Sequence, residues 1–261
     1  MNQDALQDAQ TLDRKNQVWA ALQGVSDPEL DESVTELNFV THADVDADNR
    51  VHIGFRLPTY WCAANFSFLM ADDMRRAVTA LPWVKGVSVV LGEHMYADKI
   101  NAGLAHGLSF EDTFGAEADG NLDDLRQTFL IKAYQRRQAA LLNHLTAAGH
   151  VPESLVALTL GALVALPLDA EGDKLVARYL ERRSVVGAPR PDALAFLTAE
   201  CAPLQAGSFA KYVTGLRRVG INAEFNSALC RGLLSVRFDL ETPFVPKSGC
   251  KAQAAPGASV A

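Results

Sequence analysis

Apolar positions in residues 1–95 follow two periods, and the switches between them outline a small domain. Over 12–24, Leu12, Val18, Trp19 and Leu22 recur at helical spacing on one side, and Gly24 supplies a stop. Ser26-Asp27-Pro28-Glu29-Leu30 is an acidic turn built on a proline. Residues 36–45 read as extended, and Ala47-Asp48-Asn49 as a hairpin turn. In the next strand Val51, Ile53, Phe55 and Leu57 point one way, and His52, Gly54 and Arg56 the other. From 63 to 81 the period becomes helical. Phe66, Leu69, Met70, Met74, Ala77, Val78 and Leu81 form a buried stripe, with Asp72, Asp73, Arg75 and Arg76 largely off it, and Pro82 ends the helix. Residues 84–91 are apolar on both sides in their densest part, which predicts a central strand.

Residues 96–120 read as a connector, with a short helix over 98–104 and a loop over 115–120. Asn121 suits a helix N-cap, Asp123 and Asp124 its first turn, and Gly149 its stop. Leu122, Leu125, Phe129, Ala133, Ala140, Leu141 and Leu145 run between them. Pro152 begins a second, strongly apolar helix through Leu166, and further helices are expected at 171–183, 191–200 and 207–218. Leu234, Val236, Phe238 and Leu240 then alternate with polar residues, a strand pattern that needs a partner and can take one from the edge of the first sheet. Residues 246–261, rich in Ala, Gly, Ser and Pro, read as a disordered tail. The fold class is α+β: a helix-strand-strand-helix-strand domain at 1–95, the connector at 96–120, and a mainly α-helical domain at 121–245.

Composition narrows the function classes. The 261 residues are 49% hydrophobic and 21% charged, an ordinary globular balance. A run of about 18 apolar residues is absent, which argues against a membrane span. The start Met1-Asn2-Gln3-Asp4 lacks the basic and apolar segments of a secretory signal. Cysteines stand far apart at 62, 201, 230 and 250, with no CxxC pair, so a self-contained zinc site of the usual spacing is not expected; without a secretory signal, reduced thiols in the cytoplasm are expected. The net charge of -7 conceals an asymmetry: residues 1–120 carry 19 acidic against 8 basic side chains, and the remainder 12 against 16. The acidic first part disfavours nucleic acid. The opposed signs fit two parts that attract one another, a basic docking face, or ordinary surface charge.

The candidate chemistry centres on Leu57-Pro58-Thr59-Tyr60-Trp61-Cys62-Ala63-Ala64-Asn65. A strand pattern precedes it and a helix pattern follows, so Cys62 sits at a strand-to-helix corner beside free backbone N–H groups. Their partial positive charge favours a thiolate, the form that binds metal. A buried, inert thiol is the alternative. Asp27 and Glu29 can simply hold the turn around Pro28. Tyr60 and Trp61 either cover the thiol, present an apolar surface to a partner, or pack inward. His52 and His94 lack ligand spacing. The sequence has no GxxxxGK[ST], GxSxG or HExxH motif.

Residues 13–95 resemble the small iron–sulfur cluster assembly domain of SufT and PaaD-type proteins. The resemblance is carried by Asp27-Pro28-Glu29-Leu30, Val34-Thr35-Glu36-Leu37-Asn38-Phe39-Val40, Leu57-Pro58-Thr59-Tyr60-Trp61-Cys62, Asp73-Met74-Arg75-Arg76-Ala77-Val78, and Leu81-Pro82-Trp83-Val84-Lys85-Gly86-Val87-Ser88-Val89. The chain departs from the family at Asn38, where glycine is usual, at Tyr60 and Trp61, where small residues are common, and at Ala63, where proline normally follows the cysteine.

The resemblance implies a non-enzymatic factor that matures iron–sulfur or other iron-dependent proteins. PaaD-type relatives accompany multicomponent oxygenases, so a client metalloprotein such as an oxygenase component is the implied partner, with other cluster-assembly proteins. Carried over, the site is Cys62, with Asp27 and Glu29 as metal-binding neighbours and Thr59 shaping the loop. One thiolate with oxygen donors suits transient iron or cluster binding, since stable clusters want about four protein ligands. The open positions can be filled by a second copy of the chain, a small thiol or the recipient. Two other readings are an interaction adaptor that keeps only the fold, and a thiol enzyme, which would need a histidine brought to Cys62 by the fold.

Overall fold

In a computed structural model of the chain, which describes residues 3–118 and 120–238, the alternation at 51–57 forms the middle of a sheet. Among the described residues that sheet has three strands, ordered β1 (Val40–Val45), β2 (Arg50–Phe55), β3 (Gly86–Leu91). β1 and β2 form an antiparallel hairpin with Val45 opposite Val51, and β2 and β3 run parallel with Phe55 opposite Leu91. The hairpin turn lies where the sequence predicts it. Asp46 Oδ1 accepts from the amides of Asp48 at 2.9 Å and Arg50 at 2.8 Å, and Asn49 takes φ 62°, which asparagine tolerates. Asn38, where the resemblance leads one to expect glycine, likewise sits at φ 57°.

β3 is an edge strand, not the predicted central one, and Val90 is 50% exposed. Its apolar character reflects packing against α2 (Ala64–Thr79) and α3 (Ala97–Ala105). Asn101 of α3 closes the strand's end: its side chain accepts from Leu91 N at 2.8 Å and donates to Leu91 O at 3.0 Å. That pairing consumes backbone groups an edge would otherwise expose.

α1 (Gln3–Gln23) begins earlier than predicted and buries Val18 and Leu22 completely. Leu12 and Trp19 face outward, at 61% and 38% exposure. Val18 and Leu22 are one turn apart, whereas Trp19 lies about 100° around the helix. α2 buries Leu69, Met70, Met74 and Val78 as predicted, but also Phe68 and Asp72. Asp72 is therefore not a surface charge. Arg75 at 2.6 Å and Arg76 at 2.7 Å neutralise it on the helix itself. α3 and α4 (Phe110–Phe114) add Ile100, Leu104, Phe110 and Phe114 to the core beneath the sheet.

α5 (Leu122–Ala147) starts as predicted, with Asn121 Oδ1 accepting from Asp123 N at 2.6 Å, and Gly149 follows its end at φ 94°. The single apolar helix expected from Pro152 is two short ones, α6 (Pro152–Val156) and α7 (Leu160–Val164). Thr159 caps the second start, accepting from Ala162 N at 3.2 Å. Leu160 N also donates to Ala193 O at 2.9 Å and Ala195 N to Leu158 O at 2.7 Å. This crossing keeps 191–200 out of the expected helix, and the segment forms turns and isolated bridges instead. Buried Arg183 satisfies its carbonyls at Leu194 (2.8 Å) and Ala195 (3.0 Å). With α8 (Ala170–Arg183), these elements enclose a second core containing Tyr134, Leu141, Leu145, Leu163, Tyr179 and Phe196.

α9 (Phe209–Phe238) replaces the strand predicted near the C-terminus. Helical geometry buries Leu234 in the first core and leaves Val236 86% exposed. Leu240 and the tail at 246–261 lie outside the described residues. No described helix is long and apolar enough to cross a membrane.

The opposed charges of the two parts meet. Arg137 of α5 donates to Asp31 from Nε at 2.6 Å and Nη2 at 2.9 Å, and Arg182 of α8 reaches the same carboxylate at 3.2 Å. Arg126 bonds Asp73 at 2.8 Å, Arg231 bonds Glu32, and Arg237 reaches Glu93 at 3.0 Å.

Candidate functional site

After β2 the chain buries Leu57, turns through Pro58, and reaches Cys62 just ahead of α2. Ala63 occupies the N-cap and offers no side-chain cap; Asn65 Oδ1 instead accepts from the Phe66 amide of the first turn at 2.8 Å. Ser67 braces the corner, donating to Ala63 O from its hydroxyl at 2.9 Å and from its amide at 3.0 Å. Cys62 is half-buried, and its sulfur lies 3.0 Å from Thr59 Oγ1. Tyr60 and Trp61 do not pack inward. They are 51% and 72% exposed, an aromatic surface beside the thiol.

His94 fixes this corner from below. Its Nδ1 accepts from Tyr96 N at 3.1 Å, so the proton sits on Nε2, which donates to the carbonyl of Cys62 at 2.8 Å. Met95 N donates to Tyr60 O at 2.9 Å, a second tie between the same two loops. Burial holds the imidazole below its ordinary pKa of 6.5, keeping it neutral at pH 7. The fold thus brings a histidine to Cys62, but its described bond goes to the backbone and not to the sulfur. His52 stays on the exposed side of β2, 3.3 Å from Asp46.

The acidic turn is a built element. Asp27 Oδ1 accepts from Glu29 N at 2.9 Å and Leu30 N at 2.8 Å, and Ser26 bridges Ser33. Burial pushes the Asp27 carboxyl up to about 6, against the pull of those two amides. Glu29 Oε1 accepts from Asn226 of α9 at 2.9 Å.

α9 supplies what the sequence did not point to. Cys230 packs against the first core, near Asp27, Cys62 and Glu29. Its thiol is pushed up to about 12, chiefly by burial, and is neutral at pH 7. The three sequence-predicted donors therefore share a neighbourhood with a second thiol. The available signal was a three- and four-residue spacing: Asn226, Ser227, Cys230, Arg231, Leu234 and Arg237 all face the first domain. Arg237 donates to Leu57 O at 3.3 Å, and the Arg56 guanidinium lies 4.2 Å from the centre of the Phe238 ring. Cys201 is exposed, away from this cluster in the chain, and Cys250 is outside the described residues. Among the described residues, no three His, Cys, Asp or Glu side chains are grouped as a resident metal ion would require.

The family described as iron–sulfur cluster assembly protein matches residues 15–89. The chain is similar to the Fe-S protein maturation auxiliary factor YitW of Bacillus subtilis (strain 168), 32% identical over 75 residues, which is 29% of this chain and 72% of the relative. It also resembles a crystal structure of a domain of unknown function, DUF59, from Bacillus anthracis, with 22% identity, a TM-score of 0.31, and coverage of 33% of this chain and 79% of the other. The family match contains Asp27, Glu29, Thr59 and Cys62, and ends before the helical part begins.

Proposed function

The chain belongs to the iron–sulfur cluster assembly protein family, and from that premise we propose that it is an accessory factor that matures an iron–sulfur or other iron-dependent protein through Cys62. Iron or a cluster is cargo in this reading, held briefly and passed on. The observation that carries it is the half-buried Cys62 sulfur on a braced corner, 3.0 Å from the Thr59 hydroxyl and flanked by exposed Tyr60 and Trp61. A sulfur so placed is reachable by a partner, and the two rings give that partner an apolar surface to seat on.

Asp27 and Glu29 are proposed as oxygen donors. Asp27 can offer Oδ2, because Oδ1 holds the Glu29 and Leu30 amides, and Glu29 can offer Oε2, because Oε1 holds Asn226. These donors are not grouped into a resident metal site, so Cys62 leaves coordination positions open for a small thiol, another assembly protein, a second copy of the chain or the client. Incomplete coordination favours release, as a carrier requires. The client class implied by the resemblance is a component of a multicomponent oxygenase, with the helical part of the chain selecting it, in a reducing cytoplasm where the thiol stays free.

Co-expression of the client with the parent chain or with Cys62→Ser tests this reading. The serine variant folds normally and leaves the client without its iron centre. Full client activity with the variant overturns the proposal and leaves the adaptor, whose aromatic surface acts without metal.

A further inference from the structure

A cleft of about 880 Å³ separates the acidic turn from the helical part, within the range of roughly 300–1,000 Å³ for small-molecule sites. Its walls come from the end of α1, residues 26–36, α5, α8 and α9. Six cationic side chains line it, Arg136, Arg137, Lys174, Arg178, Arg182 and Arg231, against four carboxylates, Asp31, Glu32, Glu36 and Glu181.

The pairing inside the cleft is uneven. Asp31 is taken by Arg137 and Arg182, Glu181 by Arg137 at 2.6 Å, and Glu32 by Arg231. Three cations remain without a carboxylate among the described residues. Arg136 gives Nη1 to Glu29 O at 2.6 Å, while its Nη2 is buried and donates to no described group. Arg178 makes one long contact, 3.5 Å to Asp31 O, and Lys174 has no described partner. Lys174, Arg178 and Arg182 stand at successive four-residue steps of α8, so all three line one side of the cleft. An unsatisfied buried guanidinium donor is unfavourable, and an oxyanion that reaches it would satisfy it.

We infer that this cleft binds a small multivalent oxyanion, a molecule carrying phosphate or carboxylate groups, seated between Lys174, Arg178 and Arg136. Guanidinium forks match the geometry of both groups. The apolar parts of Ala20, Leu30, Ala140 and Leu175 in the same walls accommodate a non-polar portion of the ligand. Enclosure by elements on several sides suits a small molecule better than a flat acidic protein surface. The inference is independent of Cys62 and of iron.

Calorimetric titration of the full chain with inorganic pyrophosphate, and separately with citrate, tests it and tells phosphate from carboxylate. Binding with one-to-one stoichiometry and a Kd below about 1 mM is expected for at least one of them, weakening as salt is added. The double variant Lys174→Ala/Arg178→Ala, both exposed side chains, should weaken binding by about tenfold or more while leaving thermal unfolding unchanged. Lys174→Glu serves as a single-site check with the same expectation. No binding of either anion at millimolar concentration overturns the inference. So does undiminished binding by the variants, which would mean that the anion sits elsewhere.

Discussion

His94 Nε2 lies 2.8 Å from the carbonyl oxygen of Cys62, so the residue that carries the sulfur is held by its backbone while its side chain stays available. The bond joins the end of the sheet to the start of α2 across 32 positions of sequence. Removing it as His94→Ala leaves the Cys62 carbonyl and the Tyr96 amide without their partner, at a cost of about 1–3 kcal/mol in denaturant unfolding. The folded imidazole titrates below 6.5, so beneath that pH the unfolded chain gains a proton the native state refuses. Stability from this group is present above 6.5 and is lost as the pH falls. His94→Asn should remove that acid dependence, and urea unfolding on either side of 6.5 measures it.

Asp27 contributes with the opposite sign. Its carboxyl titrates at about 6 when folded and near 3.8 otherwise, so the native state holds the extra proton between those values. Stability therefore declines as pH rises from 3.8 to 6. Asp27→Asn keeps an oxygen for the Glu29 and Leu30 amides and removes the buried charge. The variant should be more stable than the parent at neutral pH, by up to about 3 kcal/mol, and flat across that window. Asp27→Ala lacks the acceptor and should be less stable than Asp27→Asn at every pH.

Arg137 and Asp31 join the two parts of the chain through two buried hydrogen bonds. Deleting one partner strands the other's charge. Arg137→Ala should lower unfolding free energy by about 3 kcal/mol, the low end for a buried pair, because Arg182 still faces Asp31. Exchange of Arg137 and Asp31 together for apolar residues should recover part of that loss.

The first domain and the first long helix of the second part were legible because their signals are clean. Val51, Ile53, Phe55 and Leu57 alternate without interruption, and Asn121 and Gly149 mark a helix at both ends. Where the sequence misled, long-range partners decided. The 191–200 segment has helical composition, yet its carbonyls go to Arg183 and Tyr134, from distant helices. The apolar run at 84–91 read as a central strand, but α2 and α3 cover it and Asn101 closes its edge. Residues 234–238 satisfy a period of two and also one of three to four, and the packing of Leu234, Arg237 and Phe238 on the first domain goes with the helix. Of the candidate site, Cys62 and Thr59 were visible through their local motif. His94 and Cys230 were not, since neither lies at ligand spacing from Cys62 and both arrive through tertiary folding.

The central claim is that Cys62 takes up iron or a cluster. Anaerobic loading of the full chain with ferrous iron and sulfide, followed by visible absorption, tests it most directly. A chromophore that forms on the parent chain, passes to an apo-acceptor, and is missing from an equally folded Cys62→Ser variant is the predicted result. The same chromophore on both proteins, or none on either, contradicts it.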